Sequence, residues 1–313
     1  MKILGLGTSK FLIYALKGFE EAGCEILGVV SLKKNLLPDN SADLKKFSSR
    51  NKCNYFETVD INSKSSLQYI NDLQPDLIFS SWPKIISKNL IENYYIIGCH
   101  PTNLPNNRGR HPIQWTITQS IKKSKLSFFL MDEGVDSGNL ILQLPFTIKK
   151  NDDINSVNER LNELGTIGSK KIGLKFFRGK KIITLKQNKK NINYWRKKDR
   201  HDVIIDFRMR ANEISSIVRS FTSPYPCSFF IFDDNIIKVS RCEVVKKPLL
   251  KKENIEPGKI LKIERTNIII KCHDEFLKLE VKCNLNNIKF GKYIYPPTKY
   301  IMRYPKLKKL INK

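Results

Sequence analysis

The residues best suited to chemistry crowd into one stretch, Gly98–Gly138. It holds His100, His111, Trp115, Asp132, Glu133 and Asp136. An apolar run, Tyr94-Tyr95-Ile96-Ile97, precedes His100 and predicts a buried strand that delivers the imidazole to a sheet edge. Two prolines, an Asn pair and an Arg-Gly turn follow, so the chain is expected to leave as irregular loop. A loop this long in a compact domain is usually functional. Asp136 sits in a glycine-bounded turn. A histidine and a carboxylate brought together there suit proton transfer near neutral pH.

The elements around this stretch alternate. Met1–Gly7 reads as a short strand ending in glycines, with Thr8-Ser9 as a cap. Phe11, Leu12, Ala15, Leu16 and Phe19 fall on one helical face, and Glu25–Val30 is a second strand. This β-α-β unit opens a doubly wound sheet. Gly5-x-Gly7 is only part of a dinucleotide fingerprint, because position 10 is Lys10, so the glycines read as tight-turn residues. Further helices are expected at 41–51, 63–73, 87–93, 113–120 and from Asp153 past Gly173. Strands are expected at 54–56, 76–79, 126–130 and 140–148. The strand ending in Ser80-Ser81-Trp82-Pro83 should line the crevice of an open sheet. Residues 1–185 form the first domain. Residues 186–200 are polar, basic and aperiodic and read as a linker. After a helix at 211–221, residues 201–313 turn to short strands at regular spacing, which suggests a small β-barrel. Lys306–Lys313 reads as a solvated basic tail.

Composition bounds the rest. The chain has 313 residues, 41% hydrophobic and 27% charged, an ordinary globular balance. No apolar run approaches the ~18 residues that span a membrane. The start lacks a signal-peptide pattern. Seven cysteines, scattered and without a C-x-x-C pair, support neither a zinc site nor a disulfide framework, so a reduced cytoplasmic protein without metal is expected. The net charge is +26. It raises nucleic acid as a partner, while the Lys, Asn and Ile richness also fits simple compositional bias. Charge is roughly +12 over the first 190 residues and roughly +14 over the remainder, so it is denser toward the C-terminal end.

The stretch resembles the 10-formyltetrahydrofolate-dependent formyltransferases. His100-Pro101-Thr102-Asn103-Leu104-Pro105, Arg108-Gly109, Pro112-Ile113 and Asp132-Glu133-Gly134-Val135-Asp136-Ser137-Gly138 stand in that family's order and spacing. Residues Ile205-Asp206-Phe207, Ile217–Phe221, Pro224-Tyr225-Pro226 and Pro257–Ile260 are similar to the C-terminal domain of the methionyl-tRNA formyltransferases. The resemblance implies a Rossmann-like α/β catalytic domain followed by an OB-like β-barrel. It implies 10-formyltetrahydrofolate as co-substrate and a primary amine as acceptor. It further implies His100 as a donor to the developing oxyanion and Asp136 as its proton-handling partner. Ser80, Ser81, Trp82, Pro101, Met131, Asp132 and Glu133 fall where the family meets folate.

Two departures bear on the acceptor. The family's N-x-H has an amide two residues before the histidine, and Gly98 stands there in this chain. Asn103, His111 and Gln114 are the nearby groups able to replace that donor. The basic insertion with which the tRNA enzymes read an acceptor stem falls at 31–42, which here is short and holds only Lys33 and Lys34 as basic residues. The sequence therefore favours a nucleotide-linked amino sugar or similar small amine as acceptor. Methionyl-tRNA is the alternative that the C-terminal domain and charge support, and a non-catalytic relative is a minor one. Oligomeric state has no signal.

Overall fold

The computed structural model describes residues 1–177, 183–233, 235–245, 254–282 and 288–299. They fall into two compact units. The first comprises Met1–Pro112, Lys122–Lys149 and Ser156–Arg196, and the second Ile113–Ile121, Lys150–Asn155 and Lys197–Lys313.

The first unit begins β1 (Lys2–Leu6), α1 (Lys10–Glu20), β2 (Glu25–Leu32), α2 (Leu44–Asn51), β3 (Asn54–Thr58), α3 (Lys64–Leu73), β4 (Leu77–Ser80), α4 (Lys88–Asn93), β5 (Ile96–His100) and β6 (Arg108–Gly109). After α5 (Pro112–Thr118) come β7 (Lys123–Leu130), β8 (Leu140–Thr147), α6 (Ile154–Phe177) and β9 (Tyr194–Trp195). Seven strands make one sheet in the order β3-β2-β1-β4-β5-β7-β8. From β3 to β5 every pairing is parallel, and β7 and β8 are added antiparallel.

Parallel strands covered on both faces need continuous apolar runs. Ile3, Leu4 and Leu6 of β1 and Leu77, Ile78 and Phe79 of β4 meet that need and are all buried. Helix α1 presents Leu12, Ala15, Leu16 and Phe19 to the core. Asp43 caps α2, accepting from the Lys46 N–H at 2.9 Å, and so fixes its start later than 41. Gly5 and Gly7 are not turn residues with positive φ. Their value is space: a Cβ on Gly7 would lie 2.2 Å from Ser81 Oγ, and one on Gly5 would lie 2.9 Å from Leu16. Leu6 pairs with Ser80 and Ser80 with Gly98. The register therefore lines up the C-terminal ends of β1, β4 and β5, the edge at which open α/β sheets bind ligands.

Residues 186–200 do not run as a structureless linker. Leu185 bridges Leu140, β9 pairs in parallel with β6, and the first unit continues through Arg196. A 3-10 turn follows at Arg200–Val203, boxed by Asp199 and Asp202.

In the second unit α7 (Ala211–Ser220) accompanies β10 (Phe229–Phe232), β11 (Asn235–Val245), β12 (Ile260–Glu264), β13 (Asn267–Lys271) and β14 (Phe276–Val281). They form a five-stranded antiparallel sheet, β10-β11-β14-β13-β12. Ala211, Ile214 and Val218 of α7 share one core with Phe230, Val239, Ile268, Leu277 and Leu279. Residues 113–121 and 150–155 pack with this unit although they lie among first-domain elements in sequence. The tail 306–313 lies outside the described residues. Among the described residues, no helix is long and apolar enough to cross a membrane, and no cluster of three or more His, Cys, Asp or Glu could hold a metal.

Candidate active site

His100 closes β5 and is buried, with its side chain 6% exposed. Its Nε2 lies 2.9 Å from the carbonyl oxygen of Asn107. A carbonyl only accepts, so Nε2 carries the hydrogen, an assignment made from the partner. Nδ1 faces Asp136 Oδ2 at 3.5 Å, the outer limit of a hydrogen bond. Contacts of this kind often tighten when substrate binds. The two candidate residues are thus brought together, from β5 on one side and the turn between β7 and β8 on the other.

Asp136 is held in turn. Its backbone is left-handed, with φ +52°, a region that Asp tolerates better than most residues. Its Oδ2 accepts from the Gly109 N–H at 2.9 Å. Gly109 has φ +102°, and a Cβ there would sit 2.4 Å from the Trp195 carbonyl oxygen, so the approach of β9 requires glycine. Asp132 shapes the same turn: its Oδ1 accepts from Gly134 N at 3.1 Å and from Ser137 Oγ at 2.6 Å.

Gly98 lies on β5 two residues before His100 and so on the same face. A Cβ at this position would meet Phe129 Cζ at 2.9 Å and Met131 Cγ at 3.0 Å. Phe129 is directly opposite Gly98 in register and packs with Leu104, Leu140 and Met131. The space next to His100 that an amide would need is therefore filled by apolar side chains. Of the three groups considered as substitutes, Asn103 is exposed, and His111 is half-buried with φ +51°. Gln114 is buried on α5, which packs with the second unit.

The remaining candidates lie as follows. Ser80 is buried and its Oγ accepts from the Trp82 N–H at 3.3 Å, while Ser81 N donates to the Leu6 carbonyl at 2.8 Å. Trp82 is 9% exposed and packs with Leu4, Leu6, Ile86, Leu90 and Met131, but its indole Nε1 has no hydrogen-bond partner. The Pro101 carbonyl accepts from Ser124 Oγ at 3.3 Å. Met131 donates its backbone N–H to Ile96 at 2.8 Å. Glu133 is exposed and paired with Lys88 at 2.8 Å. Beside His100, burial and then the Asp136 carboxylate push the Cys99 thiol well above its ordinary value. It stays protonated near neutrality and is no nucleophile.

The groups that hold the site from 187–194 carry no signal in the sequence, and they meet Arg108 and Asn107 of the loop. Arg108 is 5% exposed and bonds neutral groups: Nη2 donates to Gln187 Oε1 at 2.7 Å and Nη1 to Tyr194 Oη at 3.1 Å. Asn193 and Asn107 hold each other through Asn107 N to Asn193 Oδ1 at 2.8 Å and Asn193 Nδ2 to Asn107 Oδ1 at 2.9 Å. All three partners, Gln187, Asn193 and Tyr194, come from the stretch that polarity marks as a linker.

A buried imidazole, a carboxylate held by a backbone N–H and a sheet edge near both can move a proton at a reacting nitrogen. Comparison with known proteins fits this chemistry. The profile described as Formyl transferase matches residues 1–170, and that described as Formyl transferase, C-terminal domain, matches residues 197–288. A methionyl-tRNA formyltransferase of Caldanaerobacter subterraneus subsp. tengcongensis is 28% identical over 291 residues, covering 89% of this chain and 91% of its own. One from Prochlorococcus marinus is 29% identical over 323 residues, covering 94% and 96%. Among solved structures, an N-formyltransferase from Helicobacter canadensis, in complex with folinic acid and dTDP-3-aminofucose, superposes with a TM-score of 0.67 at 16% identity. That match covers 90% of this chain and 100% of the other. With the catalytic-domain profile matched over more than half its length, this chain belongs to the formyl transferase family, enzymes that transfer a one-carbon group.

Proposed function

We propose that the chain transfers the formyl group of 10-formyltetrahydrofolate to the primary amine of a nucleotide-linked amino sugar or similar small molecule. The observation that carries the reaction is the His100–Asp136 pair at the end of β5. The amine nitrogen attacks the formyl carbon, and a C–N bond forms. The carbonyl oxygen takes up negative charge and is stabilised by positioned donors, His100 among them. The bond from the formyl carbon to the folate nitrogen then breaks. The proton lost by the amine passes through the His100–Asp136 pair to that leaving nitrogen. The Asn107 carbonyl sets the orientation of the free ring, and the oxyanion then takes over the Nε2–H that it has aimed.

The folate would lie along the strand ends, against Ser80, Ser81 and Trp82 from β4, Pro101 after β5, and Met131, Asp132 and Glu133 after β7. Trp82 Nε1, a buried donor without a partner, fits a ligand rich in acceptors such as a pterin. The apolar filling beside Gly98 means that no amide at that position shares the oxyanion. Asn103, His111 and Gln114 remain the side chains offered for that task. The described cysteines are free, which supports a reducing, cytoplasmic setting.

The small-amine reading rests on the connection after β2. It is short, turns through a 3-10 helix at Lys34–Leu36, and is tied back by Ala42 N to the Thr8 carbonyl at 2.8 Å. A second reading, methionyl-tRNA as acceptor, has its own support in the full-length likeness to methionyl-tRNA formyltransferases and in the +26 charge. The two separate in one assay of tetrahydrofolate release from 10-formyltetrahydrofolate. It is run with dTDP-linked 3- and 4-amino sugars in one arm and methionyl-tRNA in the other. Turnover with the sugars alone supports the first reading, and turnover with tRNA alone replaces it with the second.

A further inference from the structure

Gln187 lies outside every motif of the chain, in a Lys- and Asn-rich stretch, yet it is 7% exposed and fully engaged. Its Nε2 donates to the carbonyl oxygens of Asp136 at 2.9 Å and Gly138 at 2.7 Å. Its Oε1 accepts from Arg108 Nη2 at 2.7 Å. Only one orientation of the amide satisfies these partners, since the guanidinium only donates and the carbonyls only accept. The side chain thus clamps the backbone carbonyls of Asp136 and of Gly138, two residues on, and ties the left-handed turn to Arg108. The residue after Arg108 is Gly109, whose N–H holds the Asp136 carboxylate.

The same segment grips the other partner. Asn193 fixes Asn107 by two side-chain hydrogen bonds, and the Asn107 carbonyl receives His100 Nε2. Between these grips, Asn193 O accepts from Arg108 N at 3.1 Å and Trp195 O from Arg110 N at 2.9 Å. We propose that residues 187–195 form a strap that orients the His100–Asp136 pair, with Gln187 as the positioning residue for Asp136 and Asn193 for His100. This rests on the reading of that pair as catalytic.

The test uses the full chain. Gln187→Glu keeps the shape and an oxygen for Arg108 but turns two donated hydrogen bonds into an acceptor facing two carbonyls. Formyl transfer is followed with whichever amine, dTDP-linked sugar or methionyl-tRNA, the wild type turns over. The expected result is a fall in kcat of about 10- to 100-fold, the scale of a small misplacement of a catalytic group, with KM for 10-formyltetrahydrofolate changed less than about twofold. In an Asp136→Asn background the same substitution should cost less than about twofold, because the two residues act as one. Asn193→Ala, at an exposed position, should lower kcat and shift the 15N resonances of the His100 ring while thermal unfolding stays cooperative. A full multiplicative loss in the Asp136→Asn background, or wild-type kcat and unshifted His100 resonances in Asn193→Ala, would overturn the strap. Wild-type activity in Asp136→Asn alone would instead overturn the catalytic pair, so the two failures are distinct.

Discussion

At the scale of single residues, the site is a hydrogen-bonded line from Asn107 through His100 to Asp136 and Gly109. Each link has a different sensitivity. Cys99 adjoins His100 in sequence, but its thiol is held protonated, so Cys99→Ser should keep the formyl-transfer rate within about twofold and thiol reagents should label this position slowly near neutral pH. Gly98→Asn, which restores the family's residue, is expected to harm rather than help. Its Cβ meets Phe129 and Met131, and overpacking of this kind costs about 1–3 kcal/mol. Thermal unfolding should register the loss, and kcat should not rise. A stable Gly98→Asn variant with a higher kcat would show that Phe129 and Met131 yield easily. His100 and Asp136 are legible in the sequence because each stands in a short motif whose spacing is local. Gln187 is not, because a polar residue buried by hydrogen bonds leaves no apolar period and no motif.

At the scale of elements, the sheet order places the ends of β1, β4 and β5 together, and the β6–β9 pair locks the loop beneath them. Gly109→Ala tests that lock. Its Cβ would strike the Trp195 carbonyl, and φ +102° is unfavourable for alanine. The variant should lose stability by about 1–3 kcal/mol, measured by urea unfolding, and lose kcat more than folate affinity. The strands of the sheet are legible as apolar runs, while β6 and β9, each two residues long, are not. Neither has a period, and they pair across more than eighty intervening residues, as the Asn107–Asn193 hydrogen bond shows. β11 likewise runs on through exposed Arg241 and Glu243 to Val245, where no apolar run marks it.

Helix α7 carries an acid-sensitive start. Burial acts to raise the Asp274 carboxyl, but hydrogen bonds from the Ala211 and Glu275 N–H groups outweigh it and hold the group below the ordinary value. For Asp206, burial again acts upward and the Arg208 guanidinium, bonded to it, wins and lowers it. Groups depressed in the folded state stabilise it above their unfolded value of about 3.9 and lose that contribution as pH falls through the lower folded value. The second unit should therefore lose stability below about pH 4. Asp274→Asn should be less stable at neutral pH and show a flatter dependence across that acid range.

At the scale of the whole molecule, the +26 charge invites a polyanion. Part of the second unit does not present it. On the outward side of its sheet Arg241 faces Glu280, Glu243 faces Lys278, and Lys262 pairs with Glu264, so these charges offset one another. Transfer RNA should bind through diffuse phosphate contacts, with affinity falling steeply between about 50 and 200 mM salt, by about 10³-fold if about six phosphates are engaged. Bound in this way, tRNA should leave tetrahydrofolate release unstimulated. Charge alone does not separate compositional bias from a binding surface, which is why the acceptor is not legible from the totals.

Everything proposed for the site depends on His100, paired with Asp136, supporting formyl transfer from folate to a small amine. Tetrahydrofolate release from 10-formyltetrahydrofolate tests it most directly, with wild type and His100→Ala compared in the presence of dTDP-linked amino sugars. Sugar-dependent release by the wild type and a loss of about 10²-fold or more in the variant are expected. Equal rates in the two proteins, or no release with a folded wild type, would contradict it.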